Sequence, residues 1–385
     1  MVKQGARRKA QGARRKAQRK VRVGIIFGGK SGEHEISLLS AQSVMRAMDK
    51  DKYEIVPIGV TQEGRWLAGG DPLKALTGGQ ATMPKLLGTR VVSRPSSAVS
   101  RALLPSVAGA RHSDAVDVVF PVLHGPMGED GTVQGLFELA DVPYVGAGVM
   151  ASAVGMDKAV MKDVFRVHGL PVALHLVFLR REWERDPTAV MTQIESRLGF
   201  PCFVKPANLG SSVGITKVHG YVELDAALAE AASFDRKILV EMAVPQAREI
   251  ECSVLGNDDP IASVPGEVKP GREFYDYEAK YFDERTQLII PAPIPAELAA
   301  RVRELAIRAF RAVDCAGMAR VDFLLASETG ELFVSEINTI PGFTAVSMYP
   351  KLWEASGIPY PELIDRLIQL ALERHADKKR SRIKP

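Results

Sequence analysis

From Val21 onward, short apolar runs alternate with stretches of helical periodicity. Val21 to Phe27 (VRVGIIF) is a β-branched run that stops at Gly28-Gly29. Ile36 to Met48 repeats its apolar positions at helical spacing, and Tyr53 to Val60 is a second strand pattern. Strand, helix and strand in this order predict a βαβ unit in a parallel sheet. Residues 65–112 are rich in Gly, Pro and Ser and predict an irregular stretch. Val116 to Leu123 predicts a buried strand leading into the loop HGPMGEDG (124–131), with a helix from Thr132 to Ala140. Gly146 to Gly155 is rich in small residues and predicts a domain boundary.

The second half reads as α+β. Asp157 to His168 is helical, Pro201 to Lys205 is a strand, Asn208 to Gly214 a Gly/Ser loop, and Gly214 to Val218 a strand. A helix, Glu223 to Ser233, and a strand, Lys237 to Glu241, complete this unit. A strand from Ile250 to Leu255 opens the next one. An irregular segment around 266–286, a helix from Ala296 to Val313 and a hairpin follow, and an amphipathic helix from Pro361 to His375 closes the chain. The expected division is a basic disordered tail (1–20), an N-terminal α/β domain (21–146), a central domain (147–241), a C-terminal domain (242–376) and a basic tail (377–385).

Composition narrows the class. With 385 residues, 46% hydrophobic and 25% charged, the chain has the balance of a globular protein of two or three domains. No apolar run approaches the ~20 residues that span a bilayer. The basic N-terminus has no apolar core of a secretory signal. Cys202, Cys252 and Cys315 are far apart and odd in number, which argues for a reducing compartment. A cytoplasmic protein is expected. The net charge of +4 misleads, because residues 1–22 hold ten Lys/Arg and no acid; the remaining 40 bases and 46 acids give a body of −6. The tail repeats GARRKAQ at 5–11 and 12–18. With no aromatic interleaved for base stacking, it reads as a solvated extension rather than a nucleic-acid arm.

Two motifs match famous expressions in the wrong context. Gly24 to Ser31 (GIIFGGKS) fits a P-loop, yet Ile25 to Phe27 continue a strand and cannot also cradle phosphate. Gly210 to Gly214 (GSSVG) fits a nucleophile elbow, yet a strand pattern follows where the elbow requires a helix. The stronger chemistry lies in the hairpin of ARVDFLLA (319–326) and LFVSEIN (332–338). Pairing Ala326 with Leu332 sets Asp322 opposite Glu336 and Arg320 opposite Asn338. Facing carboxylates repel. With the Asn338 carbonyl they suit a hard cation such as Mg²⁺, which also takes phosphate oxygens. Lys158 and Lys205, with the Gly/Ser loop beside Lys205, are candidates for that phosphate.

These residues resemble the D-alanine–D-alanine ligases of the ATP-grasp superfamily. The match runs in order from about Val21 to Arg374. It includes GGKSGEHEIS (28–37), HGPMGEDG (124–131), PYVGAGVMASAVGMDK (143–158), FPCFVKPANLGSSVG (200–214), REIECSVLGN (248–257), FYDYEAKY (274–281), GMARVDF (317–323), EINTIPGFT (336–344) and SMYPKLWEASG (347–357). The resemblance implies an α/β and α+β multidomain chain, an ATP-grasp fold preceded by a parallel α/β domain, with residues 147–241 as its lid and a likeness to homodimers. It implies ATP as substrate and two Mg²⁺ ions (Mn²⁺ as an alternative), held by Asp322, Glu336 and Asn338. Lys158, Lys205, Ser211 and Ser212 would hold ATP phosphates, Glu241 would face adenine and Glu249 the ribose. Glu33 would neutralise the first alanine's ammonium, and His124 and Lys280 would lie near its carboxylate. Arg320 and the Gly342 N–H would form the oxyanion site, and Ser347 would bind the second alanine's carboxylate beside Met348. Tyr281, in the 266–290 segment that is expected to act as a lid, would bond towards Glu33 and Ser211. The EAKY sequence and Met348 point to a dipeptide product, with D-alanyl-D-lactate or D-alanyl-D-serine as the alternative.

Overall fold

In the computed structural model, residues 19–68, 70–79, 115–269 and 286–382 are described. β1 (Val21–Gly28) is buried from Val23 onward because it is the inner strand of its sheet. It pairs in parallel with β2 (Tyr53–Val60) on one side and with β4 (Val118–Pro121) on the other. The helix α1 (His34–Ala47) makes the crossover expected of a parallel pair. β3 (Trp66–Ala68) adds antiparallel to β2, and the short α2 (Pro72–Leu76) follows. Both lie in the stretch expected to be irregular; residues 69 and 80–112 of it are outside the described residues. The buried strand expected over 116–123 pairs over four residues only. Pro121 has no N–H to extend the ladder, although Val122 N still reaches Ile26 O.

The small-residue stretch from Gly146 to Gly155 is largely helical. After α3 (Thr132–Leu139), α4 (Val149–Met156) runs into α5 (Lys158–Val167), separated by Asp157, whose carboxylate caps α5 through Ala159 N and Val160 N. The small residues allow close packing: a Cβ on Gly155 would meet Thr339 at 3.2 Å. Ala147, Ala151, Met161 and Phe165 join the core of the last sheet.

A second sheet has the order β5–β8–β6–β7, all antiparallel, from β5 (His175–Leu179), β6 (Cys202–Pro206), β7 (Thr216–Val218) and β8 (Lys237–Met242). The helices α6 (Arg180–Arg185), α7 (Pro187–Arg197) and α8 (Leu224–Phe234) accompany it. The third sheet runs β12–β11–β9–β13–β14, with β10 (Ile261–Ala262) beside β9. It comprises β9 (Ala247–Gly256), β11 (Gly266–Lys269), β12 (Gln287–Ile289), β13 (Gly317–Ala326) and β14 (Leu332–Asn338). α9 (Ala296–Ala312) buries Val302, Leu305, Ala306, Ala309 and Phe310 against it.

The hairpin register near its loop is one residue off the expected pairing: Leu332 faces Leu325, not Ala326. A bulge between Asp322 and Phe323 absorbs the difference, so Asp322 still faces Glu336 and Arg320 still faces Asn338. α10 (Met348–Ala355) and α11 (Tyr360–Lys378) then return to the first sheet. Tyr349, Trp353, Leu363, Leu367 and Ile368 share one apolar cluster with Val23, Phe27, Val44 and Phe120. At the chain ends, Arg19 pairs with Asp117 at 2.7 Å and Lys378 with Glu138; residues 1–18 and 383–385 lie outside the described residues.

Trp353 is only 1% exposed and lies edge-on to Tyr349, at the junction of first sheet and last helices. Trp353→Ala should lower unfolding free energy by about 3–5 kcal/mol, since a large cavity opens with no small side chain to fill it. Urea unfolding measures this; a loss under about 1 kcal/mol would contradict the rigid junction described here.

Candidate active site

A cavity of about 660 Å³ lies where the three sheets meet. Its acidic end is built on the turn after β1. Gly28 has φ +93°, and a Cβ there would sit 2.1 Å from Val60 O, so only glycine fits. Gly28 N donates to Ser37 Oγ at 2.8 Å, and Ser37 in turn donates to Val122 O, which stitches the turn to the loop after β4. Glu33 stands at the N-terminal edge of α1, but its side chain does not cap the helix. It points across the cavity instead and accepts a hydrogen bond from Ser211 Oγ. Gly125 and Gly210 leave room for it: Cβ atoms at these positions would lie 3.1 and 3.3 Å from Glu33 Oε2. Ser211 and Ser212 are consecutive left-handed residues, at φ +54° and +58°. Such backbone costs about 1–2 kcal/mol per non-glycine residue, so the Gly/Ser loop is held in its shape by its contacts.

Glu129 shares this wall. Its Oε1 accepts from Gly125 N at 3.0 Å, while Oε2 is buried with no hydrogen-bond partner. Burial, and then the charge of Glu33 with that of Glu336 behind it, push its carboxyl up to about 8. His124 also lines the cavity, with both ring nitrogens engaged, one with Ser40 Oγ (3.3 Å) and one with Ile340 O (3.1 Å). Burial pushes its pKa down, against the pull of Glu33.

The basic centre comes from β13. Arg320 meets Asp322 through two hydrogen bonds, at 2.7 and 2.6 Å, and its Nε lies 2.9 Å from Glu251 Oε2 on β9. Burial opposes its charge, but Asp322 and then Glu251 overcome that and hold it firmly protonated. On β14, Glu336 Oε2 is 4.0 Å from Lys158 Nζ, and that ammonium also donates to Leu209 O at 2.6 Å. Lys158 is the first residue of α5, so the capped helix start delivers it to the loop and the hairpin together.

Of the residues expected from the sequence, the cavity brings together Glu33, His124, Lys158, Ser211, Arg320, Glu336, Asn338, Gly342, Ser347 and Met348. Asp322 stands behind Arg320. Ser212 adjoins Ser211, and Glu249 lies two residues from Glu251 on β9, opposite Leu324. Lys205 donates to the buried Glu241 at 2.7 Å, and neither is among the residues lining the cavity. Lys280 and Tyr281 lie outside the described residues. Ser347 Oγ accepts from Thr344 N at 3.0 Å, and a Cβ on Gly342 would meet it at 2.8 Å, which keeps that backbone open. Met348 packs with Val268 and Leu352, making this end of the cavity apolar.

Sequence reasoning missed Glu129, Glu251 and Lys162. Glu129 stood in a glycine-rich loop and Glu251 two positions from Glu249, so spacing alone could have raised both. The two decoys are excluded by geometry. Gly24 to Phe27 are ladder residues of β1, and the residues after Ser212 lead into β7 rather than a helix.

The donor set suits a hard cation. Asp322 and Glu336 face each other, Asn338 follows on the same strand face, and all three offer oxygen. Among the described residues no cluster of three or more His, Cys, Asp or Glu is disposed to hold a metal. Two carboxylates and an amide fit Mg²⁺, which keeps few protein ligands and takes phosphate oxygens.

Comparison with known proteins agrees with this arrangement. The chain matches the family described as "D-ala D-ala ligase N-terminus" over residues 22–147 and "D-ala D-ala ligase C-terminus" over 164–369. It is 52% identical over 362 residues to a D-alanine–D-alanine ligase of Heliobacterium modesticaldum, covering 94% of this chain and 97% of that protein. A D-alanine–D-alanine ligase of Geobacillus thermodenitrificans is 52% identical over 361 residues, covering 93% and 97%. The solved D-alanine–D-alanine ligase of Coxiella burnetii superposes with a TM-score of 0.77 at 36% identity, over 94% of this chain and 97% of that one. The VanG D-Ala:D-Ser ligase of Enterococcus faecalis gives 0.75 at 35%, over 92% and 100%. The α/β and α+β sheets described above are thus those of an ATP-grasp protein, and the chain belongs to the D-alanine–D-alanine ligase family.

Proposed function

We propose that this protein joins two molecules of D-alanine to D-alanyl-D-alanine at the expense of ATP, for peptidoglycan precursors. The observation that carries it is one cavity with an acidic wall (Glu33, Glu129), a guanidinium at its centre (Arg320) and an apolar end (Met348, Val268). An amino acid needs those three surfaces for its ammonium, its reacting carboxyl and its methyl.

The chemistry assigns each group a task. The ammonium of the first D-alanine sits against Glu33, which Ser211 orients. Its carboxylate oxygen attacks the γ-phosphorus of ATP, ADP departs, and D-alanyl phosphate forms. Lys158, Lys205, Ser211 and Ser212 hold the phosphates, with Glu241 and Glu249 towards the nucleoside. Mg²⁺ bound to Asp322, Glu336 and Asn338 would neutralise phosphate charge during the transfer. The amine of the second D-alanine, whose carboxylate rests on Ser347, attacks the acyl carbon. Arg320 and the Gly342 N–H stabilise the resulting oxyanion before phosphate leaves. Lys280 and Tyr281 complete the site by resemblance alone. We also assign the expected domain division, a homodimer and a cytoplasmic location; no helix among the described residues is long and apolar enough to cross a membrane. D-Alanine should release phosphate from ATP, and D-lactate or D-serine beside it should be poor second substrates. A preference for either would replace the product named here.

Three outcomes test the residues. Glu336→Gln should abolish D-alanine-dependent phosphate release with the fold intact by circular dichroism; near-parental turnover would remove Glu336 from the metal site. Lys205→Ala should weaken ATP binding about tenfold or more, by loss of a charge-assisted contact. Lys30→Ala, at an exposed loop position, should leave it within a few-fold, and titration with nucleotide would show the reverse order if the P-loop were real. Glu129 binds its proton more tightly folded than unfolded, so it costs stability progressively as pH rises from its unfolded value towards about 8. Glu129→Gln should therefore melt like the parent near pH 4.5 and above it near pH 9; parallel curves across that range would mean Glu129 is ionised throughout.

A further inference from the structure

One turn after Lys158, α5 carries a lysine that none of these roles uses. Lys162 lies on the same helix face, and only 1% of its side chain is exposed. Its ammonium donates to Glu241 Oε1 at 2.6 Å and to the Ser335 carbonyl at 3.3 Å. Glu241, itself 2% exposed, accepts Lys205 Nζ on its other oxygen at 2.7 Å. One helix thus connects β8 and β6 of the second sheet with β14 of the third, at the residue just before Glu336. Buried ammonium groups persist only where they are paired.

We propose that Lys162 is a positioning residue for the nucleotide, acting through Glu241 on Lys205. Two lysines on one carboxylate leave the trio a net positive charge, and that surplus is available to a polyphosphate. With Lys162 neutral, Glu241 and Lys205 cancel, and the Lys205 ammonium is drawn to the acid instead of the phosphates. The contact with Ser335 O also fixes where that surplus lies relative to Glu336 and Asn338. Burial raises the Glu241 carboxyl, but Lys162 and then Lys205 bring it down to about 2, so the acid is charged at any working pH. The other ionised groups of this helix start, Lys158 and Asp157, point to the loop at Leu209 and to Lys237.

The inference rests on the ligase reading for ATP as substrate, and the test separates the two. Lys162→Gln keeps hydrogen bonding and loses the charge; Lys162→Met loses both; Lys162→Arg keeps the charge. The neutral variants should raise the KM for ATP about tenfold, the effect of one lost charge-assisted contact, while the KM for D-alanine and kcat at saturating ATP stay within about twofold. ADP titration of the same proteins should show the same weakening, and it reads the proposal even if D-alanine proves not to be the substrate of the parent. Lys162→Arg should restore most of the affinity. Unchanged ADP affinity in a folded neutral variant overturns the proposal, as does an equal rise in both KM values. So does failure of both neutral variants to fold while Lys162→Arg binds ADP as the parent does, since Lys162 would then be structural only.

Discussion

Two carboxylates face each other across the β13–β14 pair, and the surrounding structure is arranged to make that tolerable. Asp322 opposite Glu336 is unfavourable on an isolated hairpin. Arg320 relieves one of them with a two-point bond, and the Nε that makes one of those bonds also lies 2.9 Å from Glu251; Lys158 approaches the other from α5. This compensation comes from the same strand, two residues before Asp322, and from a helix that Asp157 caps. The bulge beside Asp322 preserves the facing register although the loop-proximal pairs are shifted. The sheet therefore presents charge in a fixed pattern before any ligand arrives, which is what preorganised electrostatics requires.

The cavity has a gradient of character. Glu33 and Glu129 make one wall acidic, Arg320 with Lys158 make the centre basic, and Met348 with Val268 make the far end apolar. Gly125, Gly210 and Gly342 are where side chains of this wall need space, and a Cβ at each would fall within 3.3 Å of Glu33 or Ser347. Backbone without side chains thus shapes the site as much as the charged groups do.

Much of this was legible in the sequence. The strand β2 was bounded correctly from its apolar run, and the facing of Asp322 and Glu336 followed from two-residue periodicity and a loop of known length. The bulge was not legible, because an extra residue in one strand leaves no mark on hydrophobic alternation. The helix α4 was not legible, because a run of glycine and alanine carries no amphipathic stripe; its small residues let helix and strand approach closely. Glu129 and Lys162 escaped for a shared reason. Pattern reading sends charged residues to the surface, whereas Lys162 is buried against partners distant in sequence and Glu129 inside its own glycine-rich loop. The segment holding Lys280 and Tyr281 was read through resemblance and stays at that level.

The apolar cluster around Trp353 has a consequence for modularity. It draws on β1, α1 and β4 from the first matched segment and on α10 and α11 from the second. The two segments are therefore not interchangeable cassettes. A chimera that takes its first 147 residues from one relative and the rest from another inherits a seam of Phe120 on Phe343, and of Leu38 and Val44 among Leu363 and Leu367, drawn from two lineages. Recombination along this family should succeed at loops within a sheet more readily than at the point where the two segments adjoin in sequence.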